Sequence, residues 1–388
     1  MKRLVVCFDG TWNSADSRRA ETNVARIARA VRANSETEGV PQLTLYLRGV
    51  GSTGIALQKL LGGATGEGLD DNICSGYMFL AQNYVPRDKI YLFGFSRGAF
   101  TARSLAGFVS SCGLLKRQKL GDLSAAWDYY RQANPRSPQD FCRHYHSDCH
   151  LDVGVAFLGV WDTVGALGVP GTILNTLNAH EYQFHNTAPS KVMKVGRHAL
   201  AIDEHRDEFE PTLWTGSAPP DCDIQQVWFA GAHSDVGGGY QDRRLADIPL
   251  CWMAEEAEKC GLKLDWAMLP DRSCLDPLAP QHESRLNWSR KDRLTPTIRQ
   301  ISGTRTEVSL YERLYRPMDK DGNPLRTINE CLHPSVRNRF GHQVTCLAND
   351  ADPQGEPVLY KPKNLLGLVG GLTKRQNTAL SSPGRSTK

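Results

Sequence analysis

The stretch IYLFGFSRGAFTARSLAGFV, Ile90 to Val109, decides the fold. Its first part, Ile90–Phe95, is a short apolar run that predicts a buried strand, and Arg97–Val109 predicts the helix behind it. Between them lies the pentapeptide G-x-S-x-G, Gly94 to Gly98, with Ser96 at its centre. A strand, a tight turn and a helix in this order are the context of a nucleophile elbow. Ser96 is therefore the candidate nucleophile.

The elbow also predicts where an oxyanion would be stabilised. Such a turn leaves room for no side chain two residues before or after the serine, which accounts for the two glycines of the pentapeptide. The backbone N–H of Arg97 would point to the developing oxyanion. A second donor is expected from the loop after an earlier strand, where Gly10 permits close approach and Thr11 offers an N–H. The alternative is an ordinary strand-ending turn capped by Asp9.

A serine nucleophile needs a base and a carboxylate that orients the base. Side chains at the carboxyl ends of parallel strands face one crevice, so the residues that follow strands are the candidates. Asp162 follows the apolar run Val155–Trp161, and His233 follows Val227–Ala230. The chain order Ser, Asp, His is that of the α/β-hydrolases.

Other residues could take these roles. His333, in a late loop, is a second candidate for the base. Asp203 or Glu204 could orient the histidine in place of Asp162, and Asp235 could bond to its own neighbour or cap a turn. The sequence leaves these alternatives open.

Short apolar runs alternate with helical segments along the chain, which predicts an α/β fold with a mostly parallel sheet and helices on both faces. The predicted strands are Leu4–Phe8, Leu43–Leu47, Ile90–Phe95, Val155–Trp161 and Val227–Ala230. The predicted helices are Thr22–Val31, Leu69–Tyr84, Arg97–Val109 and Ala254–Cys260.

The predicted domain organisation is one elaborated catalytic domain, residues 1–345, followed by a C-terminal extension, 346–388. The polar, histidine-rich stretch 116–150 is expected to be an insertion near the site. The proline-rich stretch 265–324 is expected to be a cap or lid. The extension is expected to be flexible from about residue 372.

Composition and charge exclude several classes of protein. The 388 residues are 40% hydrophobic and 23% charged, which is ordinary for a globular chain. The formal net charge of +4 equals the four basic residues between Lys374 and Lys388, a stretch with no acidic residue. The body is therefore balanced, and no nucleic-acid partner is expected. The basic tail could support peripheral contact with an anionic membrane.

The eleven cysteines form no C-x-x-C pair, and their irregular spacing does not favour a disulfide framework. Cys142 to His150 is the nearest approach to a metal cluster, but its spacing matches no standard site. No metal and no organic cofactor are expected. The apolar N-terminal run is too short for a signal peptide, and no stretch is long enough to span a bilayer. The prediction is a protein that is cytoplasmic as synthesised, with signal-independent export left open.

Seven motifs together resemble an α/β-hydrolase family long described as a domain of unknown function. That family includes the first-class type VI secretion lipase effectors, which are antibacterial phospholipases. The motifs are Phe8–Asn13, Gly49–Gly51, Tyr91–Ala99, Gly159–Gly165, Ala199–Glu204, Trp228–Tyr240 and His333–Val336.

The resemblance implies a serine hydrolase with Ser96 as nucleophile, Asp162 as acid and His233 as base. It implies a phospholipase or lipase that acts on glycerophospholipids through an acyl-enzyme. An esterase for small soluble esters and a catalytically silent interaction module are the alternatives. It also implies a lipid or ester substrate and, for an effector, an immunity or secretion partner.

Overall fold

The structure is a computed structural model that describes residues 1–10, 20–33, 39–49, 67–132, 137–165, 187–287, 295–319, 321–348 and 355–369. The strands of the central sheet are β1 (Arg3–Phe8), β2 (Gln42–Leu47), β3 (Lys89–Phe95), β6 (Val155–Trp161), β7 (Val195–Ala201), β8 (Asp223–Phe229) and β12 (Glu330–Leu332). Shorter strands outside it are β4 (Leu114–Leu115), β5 (Cys149–His150), β9 (Gln281–His282), β10 (Thr297–Arg299), β11 (Arg313–Tyr315), β13 (Gln343–Leu347) and β14 (Glu356–Leu359). The helices are α1 (Asn23–Ala30), α2 (Glu67–Asn83), α3 (Arg97–Cys112), α4 (Leu123–Tyr130), α5 (Pro138–Tyr145), α6 (His233–Gly237), α7 (Arg244–Lys259) and α8 (Pro334–Arg339).

The central sheet has seven strands in the order β12-β8-β7-β6-β3-β1-β2, and every neighbouring pair is parallel. The predicted α/β-hydrolase-like fold with a parallel sheet is therefore confirmed. In the sheet, β2 lies on one side of β1 and β3 lies on the other, so the direction in which successive strands are added reverses after β2. This reversal lies at the carboxyl ends of β1 and β3, and open α/β sheets bind their ligands at such a reversal.

Both faces of the sheet are buried under helices, as predicted. Alternate residues of β1 point to opposite faces: Val6 packs in the core beneath α2 and α3, and Val5 packs in the core beneath α1 and α7. Long apolar strands are expected where both faces are covered.

Among the described residues, no helix has the length and hydropathy to cross a membrane.

The sequence analysis predicts five of the seven central strands; the other two are β7, which carries polar residues, and the three-residue edge strand β12. Arg197 in this strand donates from Nε to Glu256 Oε2 over 2.6 Å and from Nη2 to Asp223 Oδ2 over 2.6 Å. His198 is fully buried, and its Nε2 accepts from the backbone N–H of Thr163 over 3.1 Å. In the sequence, Arg197 and His198 argue against a buried strand. In the folded chain, residues distant in sequence form hydrogen bonds with both side chains, so the strand can be buried.

The helix predicted at Ala254–Cys260 begins ten residues earlier, at Arg244, and contains Pro249 in its second turn. The sequence prediction stopped short because a proline inside a helical pattern normally marks a boundary.

The stretch 116–150 contains two helices, α4 and α5, and its expected position near the site stays a prediction. It follows the end of α3 that is farthest from Ser96, about 24 Å away along a helix of this length. Trp127 and Tyr130 of α4 pack on Phe108, with ring centroids 5.4 and 5.2 Å apart. The insertion therefore packs against α3 near the C-terminal end of that helix.

The stretch 265–324 is irregular, as its prolines suggested, but part of it is deeply buried. Arg299 in β10 is 1% exposed.

The C-terminal segment 355–369 packs against the catalytic-domain residues, since Tyr360 Oη donates to Asp203 Oδ2 over 2.9 Å. The predicted boundary at residue 345 stays a prediction, and the tail from residue 370 lies outside the described residues.

Candidate active site

The turn after β3 has the geometry of a nucleophile elbow. Ser96 has φ 57° and ψ −124°, a left-handed backbone conformation that is costly for a residue with a side chain. A Cβ on Gly94 would lie 2.4 Å from the carbonyl oxygen of Gly98. A Cβ on Gly98 would lie 2.2 Å from the carbonyl oxygen of Phe8. Both glycines are therefore sterically required, and the elbow packs directly against the end of β1.

The elbow is tied to the loop that carries Asp162. The backbone N–H of Ser96 donates to the carbonyl of Trp161 over 3.0 Å, and the Ser96 carbonyl accepts from Val164 over 3.4 Å. Asp162 lies between these two anchors and is itself left-handed, with φ 37°. Ser96 and Asp162 are thus held by one pair of adjoining turns at the carboxyl edge of the sheet.

Asp162 and His233 are joined by a hydrogen bond of 2.6 Å between Oδ2 and Nδ1. Asp162 is 0% exposed and His233 is 4% exposed. The ring of His233 lies against Phe95, the residue before the serine, with centroids 4.5 Å apart. The structure therefore brings the three predicted catalytic residues to one edge of the sheet. Ser96 is 8% exposed, and its side chain does not cap α3.

The imidazole of His233 is enclosed by two aromatic rings. Besides Phe95, Phe209 contacts the imidazole in an edge-on arrangement, with ring centroids 4.8 Å apart. The guanidinium of Arg206 lies 3.6 Å from the centre of the Phe209 ring. Burial lowers the pKa of His233, and the bond to Asp162 only partly opposes this. The ring is therefore neutral near pH 7, as a general base must be.

The Asp162 carboxylate has a partner that the sequence reasoning missed. Arg299 donates from Nη1 to Oδ1 over 2.7 Å and from Nη2 to Oδ2 over 3.1 Å. The backbone N–H of Ala201 also donates to Oδ1, over 3.0 Å. Burial alone would raise the pKa of Asp162, but Arg299 and His233 hold it well below its ordinary value. The carboxylate stays ionised, and its bond fixes the proton of neutral His233 on Nδ1.

The three alternative residues have other partners. Asp203 Oδ2 accepts from the N–H of Gly231 over 2.7 Å, and Asp235 Oδ1 bonds to His282 Nδ1 over 2.7 Å. His333 caps α8, where its Nδ1 bonds to Ser335 Oγ over 2.8 Å. Burial lowers the pKa of His333 to about 4. Within the described residues, none of the three bonds to the side chain of Asp162 or His233.

Glu204 supports the base through its backbone. Its Oε2 accepts from the N–H of His233 over 3.2 Å and from Arg206 Nη2 over 2.8 Å. Burial would raise its pKa, but Arg206 overcomes this and lowers it to about 2. Glu204 therefore anchors α6 as an anion and does not orient the imidazole.

Asp9 closes the turn after β1, as the alternative interpretation of that loop held. Its Oδ1 accepts from the N–H of Gly10 over 2.7 Å, and its Oδ2 accepts from Thr22 Oγ1 over 2.9 Å and from Tyr46 Oη over 2.5 Å. The N–H of Gly10 is thereby occupied. Thr11, the other predicted donor, lies outside the described residues.

Among the described residues, no three metal-ligating side chains come together, and this includes the stretch Cys142 to His150.

The backbone N–H of Arg97 is the other predicted oxyanion donor. Arg97 is the first residue of α3, so its N–H has no acceptor within the helix. Within the ranges that the structure describes, no backbone acceptor binds this N–H.

Comparison with known proteins identifies the family. The family model described as "T6SS, Phospholipase effector Tle1-like, catalytic domain" matches residues 2–256. The chain belongs to this Tle1-like family. The predicted resemblance is confirmed, and with it an α/β-hydrolase-like catalytic domain. The matched segment contains Ser96, Asp162 and His233 but ends before Arg299.

Several more distant relatives share parts of this Tle1-like chain. An uncharacterized protein from Saccharomyces cerevisiae is 29% identical over 238 residues, which are 55% of this chain and 33% of the relative. The chain thus spans about a third of that relative's length. A crystal structure of an uncharacterized protein from Pseudomonas aeruginosa aligns with 17% identity and a TM-score of 0.39, covering 70% of this chain and 48% of the other. The structure of the Tle1 effector bound to the VgrG spike of the type 6 secretion system aligns with 18% identity and a TM-score of 0.34, covering 62% and 51%.

Proposed function

We propose that this chain is a serine hydrolase that cleaves the acyl ester bonds of glycerophospholipids. The observation that carries the proposal is the hydrogen bond between His233 and Asp162, with the imidazole packed beside an elbow centred on Ser96. Membership of the Tle1-like phospholipase effector family supports the substrate class. A hydrolase needs no further group for this chemistry, since the nucleophile, base and acid are all side chains.

The first half of the reaction forms an acyl-enzyme. Ser96 Oγ attacks the ester carbonyl carbon while Nε2 of His233 takes the hydroxyl proton. Asp162 stabilises the resulting imidazolium and keeps Nδ1 protonated. The tetrahedral oxyanion is stabilised by the N–H of Arg97 and, we propose, by Thr11. His233 then returns the proton to the leaving alcohol as the ester C–O bond breaks.

The second half releases the fatty acid. Water takes the place of the alcohol, and His233 accepts one of its protons while the oxygen attacks the acyl carbon. Collapse of the second tetrahedral intermediate returns this proton to Ser96 Oγ. The neutral state of His233 near pH 7 favours both proton abstractions.

Fatty-acid release from defined phospholipids, measured beside hydrolysis of short-chain nitrophenyl esters, tests the proposal. We expect release from the phospholipid by the wild-type protein, and a loss on the order of 10⁶ in turnover for Ser96→Ala. Ester hydrolysis that survives in purified Ser96→Ala would refute the serine mechanism. Activity on nitrophenyl esters alone would favour a small-ester esterase.

Labelling with a fluorophosphonate separates an enzyme from a silent module. The probe should form a covalent bond to Ser96 in the wild-type protein, and His233→Ala should abolish the labelling because the serine loses its base. Failure of the folded wild-type protein to react would favour the interaction module.

Delivery by a type VI secretion system is part of the same proposal. Family membership supports a secretion partner, and the Tle1 effector has been seen bound to a VgrG spike. Copurification of this chain with a spike protein encoded in the same genome would test it. An immunity partner would be recognised as a protein that binds the folded chain and blocks fluorophosphonate labelling.

A further inference from the structure

Arg97, the residue directly after the candidate nucleophile, is a cation for which the described residues provide no counter-charge. It is half-buried, and no residue in the described part of the chain forms an ion pair or hydrogen bond with its guanidinium. Burial lowers its pKa to about 10, and no carboxylate opposes that shift. At neutral pH it nevertheless stays charged.

Other arginines that are withdrawn from water in this fold have acceptors. Arg299 binds Asp162, and Arg206 binds Glu204. Arg197 binds Asp223 and Glu256, and Arg339 donates to the carbonyls of Pro277 and Ala279. Because withdrawing an unpaired charge from water is unfavourable, buried charges are normally paired. Within the described residues, half-buried Arg97 has no such acceptor, and it directly follows Ser96 in the sequence.

Two further features make this position suitable for an anion. Arg97 is the first residue of a sixteen-residue helix, whose N-terminus carries positive partial charge. A guanidinium also binds phosphate oxygens through two parallel N–H donors. In a glycerophospholipid, the phosphate is linked to the scissile ester through only two or three glycerol carbons. A side chain that starts one residue from Ser96 can therefore reach the phosphate while the serine meets the ester.

We propose that the Arg97 side chain binds the phosphodiester of the substrate and so selects phospholipids over neutral glycerides. The inference rests on the proposed function, and it adds a specificity-determining residue that the triad itself does not provide. Arg97 thereby has two separate tasks: its backbone N–H stabilises the oxyanion, and its side chain recognises the phosphate.

The test compares two lipids that carry the same acyl chains and differ in the phosphodiester. Fatty-acid release is measured from phosphatidylglycerol and from diacylglycerol in detergent micelles, and the selectivity is the ratio of their kcat/KM values. Loss of a hydrogen bond to a charged group should lower this ratio about tenfold to a hundredfold in Arg97→Gln. Arg97→Lys should keep part of the selectivity because it retains the charge without the bidentate geometry.

Arg337→Gln is the matched control. Arg337 is an exposed arginine in α8, so its removal changes the net charge equally and should leave the ratio within twofold of wild type. A ratio within twofold of wild type in folded, fluorophosphonate-reactive Arg97→Gln would overturn the inference. Should Arg97→Gln fail to fold, Arg97→Lys decides: full wild-type selectivity in that variant would overturn bidentate recognition.

Two outcomes separate this inference from others. A wild-type protein that releases no fatty acid from either lipid would reject the proposed function itself. A free-anion site is tested with inorganic phosphate as an inhibitor of nitrophenyl ester hydrolysis. Inhibition that Arg97→Gln abolishes without any change in the lipid ratio would assign such a site and overturn phosphodiester recognition.

Discussion

The elbow around Ser96 and the irregular stretch 265–324 contribute to the same site by opposite means. The conformation of the elbow depends on close backbone packing. A Cβ added to Gly94 or to Gly98 would lie 2.4 or 2.2 Å from a backbone carbonyl oxygen. The irregular stretch contributes a charge over a long distance in sequence, because Arg299 is 137 residues from Asp162. The candidate site thus combines a local backbone conformation with a counter-ion that is remote in sequence.

The largest effect should come from the base. His233→Ala removes the group that activates Ser96, and we expect turnover to fall on the order of 10⁴- to 10⁶-fold. His333→Ala is the comparison: it removes a helix cap and a ring stacked on Phe229, which together cost about 1–3 kcal/mol of stability, and it should leave turnover within tenfold. Steady-state hydrolysis of a soluble ester measures both. Should His333→Ala be the inactive variant, the base would be misassigned.

Removing Arg299 should have the next largest effect, and it tests the remote half of the comparison. Arg299→Met leaves the fully buried Asp162 carboxylate without its cation, which typically costs about 3–5 kcal/mol. Urea unfolding measures the loss. Arg313→Met, at a half-exposed ion pair with Asp207, should cost about 1 kcal/mol or less. Equal losses in the two variants would mean that Arg299 is not a special partner of Asp162.

The local half of the comparison is tested at Gly98. Gly98→Ala forces a methyl group against the carbonyl of Phe8, and we expect a cost of about 1–3 kcal/mol together with loss of fluorophosphonate labelling. Gly121→Ala is the control, since a Cβ there meets nothing within 4 Å and no positive φ is required. Normal labelling of Gly98→Ala would show that the turn tolerates bulk.

The smallest expected effect is a shift of the pH profile. The neutral form of His233 is the active one and burial lowers its pKa, so the acid limb of kcat/KM should have its midpoint below 6.5, the ordinary value for histidine. Arg299→Lys, which keeps the charge but loses the fork of donors, should move this midpoint upward by less than about one pH unit. The direction follows because a less compensated Asp162 stabilises the imidazolium. A midpoint above 6.5 in the wild-type protein would contradict the environment described for His233.

The sequence predicts the parts of this molecule whose signals are local. The parallel sheet, the elbow and the positions of Asp162 and His233 after their strands are all readable because an apolar run, a glycine pattern and a strand end are short-range features. The strand Val195–Ala201 is not readable, since Arg197 and His198 appear polar until Glu256 and the Thr163 amide are placed beside them.

Arg299 could not be predicted for a related reason. The residues around it form only a three-residue strand in a proline-rich stretch, and nothing in their spacing indicates a partner. Its contact with Asp162 exists only after the chain has folded back across the edge of the sheet. Arg97, by contrast, is visible in the pentapeptide, but only the structure shows that no described residue compensates its charge.

The link between Asp162 and Arg299 also sets an order of events during synthesis. A growing chain gains Ser96, Asp162 and His233 before Arg299, and the 66 residues that separate His233 from Arg299 take about 3–13 s to translate at typical rates. During that interval the acid of the triad has no counter-ion, so the site is incomplete. The candidate site is therefore completed only after Arg299 has been synthesised and has folded back onto Asp162.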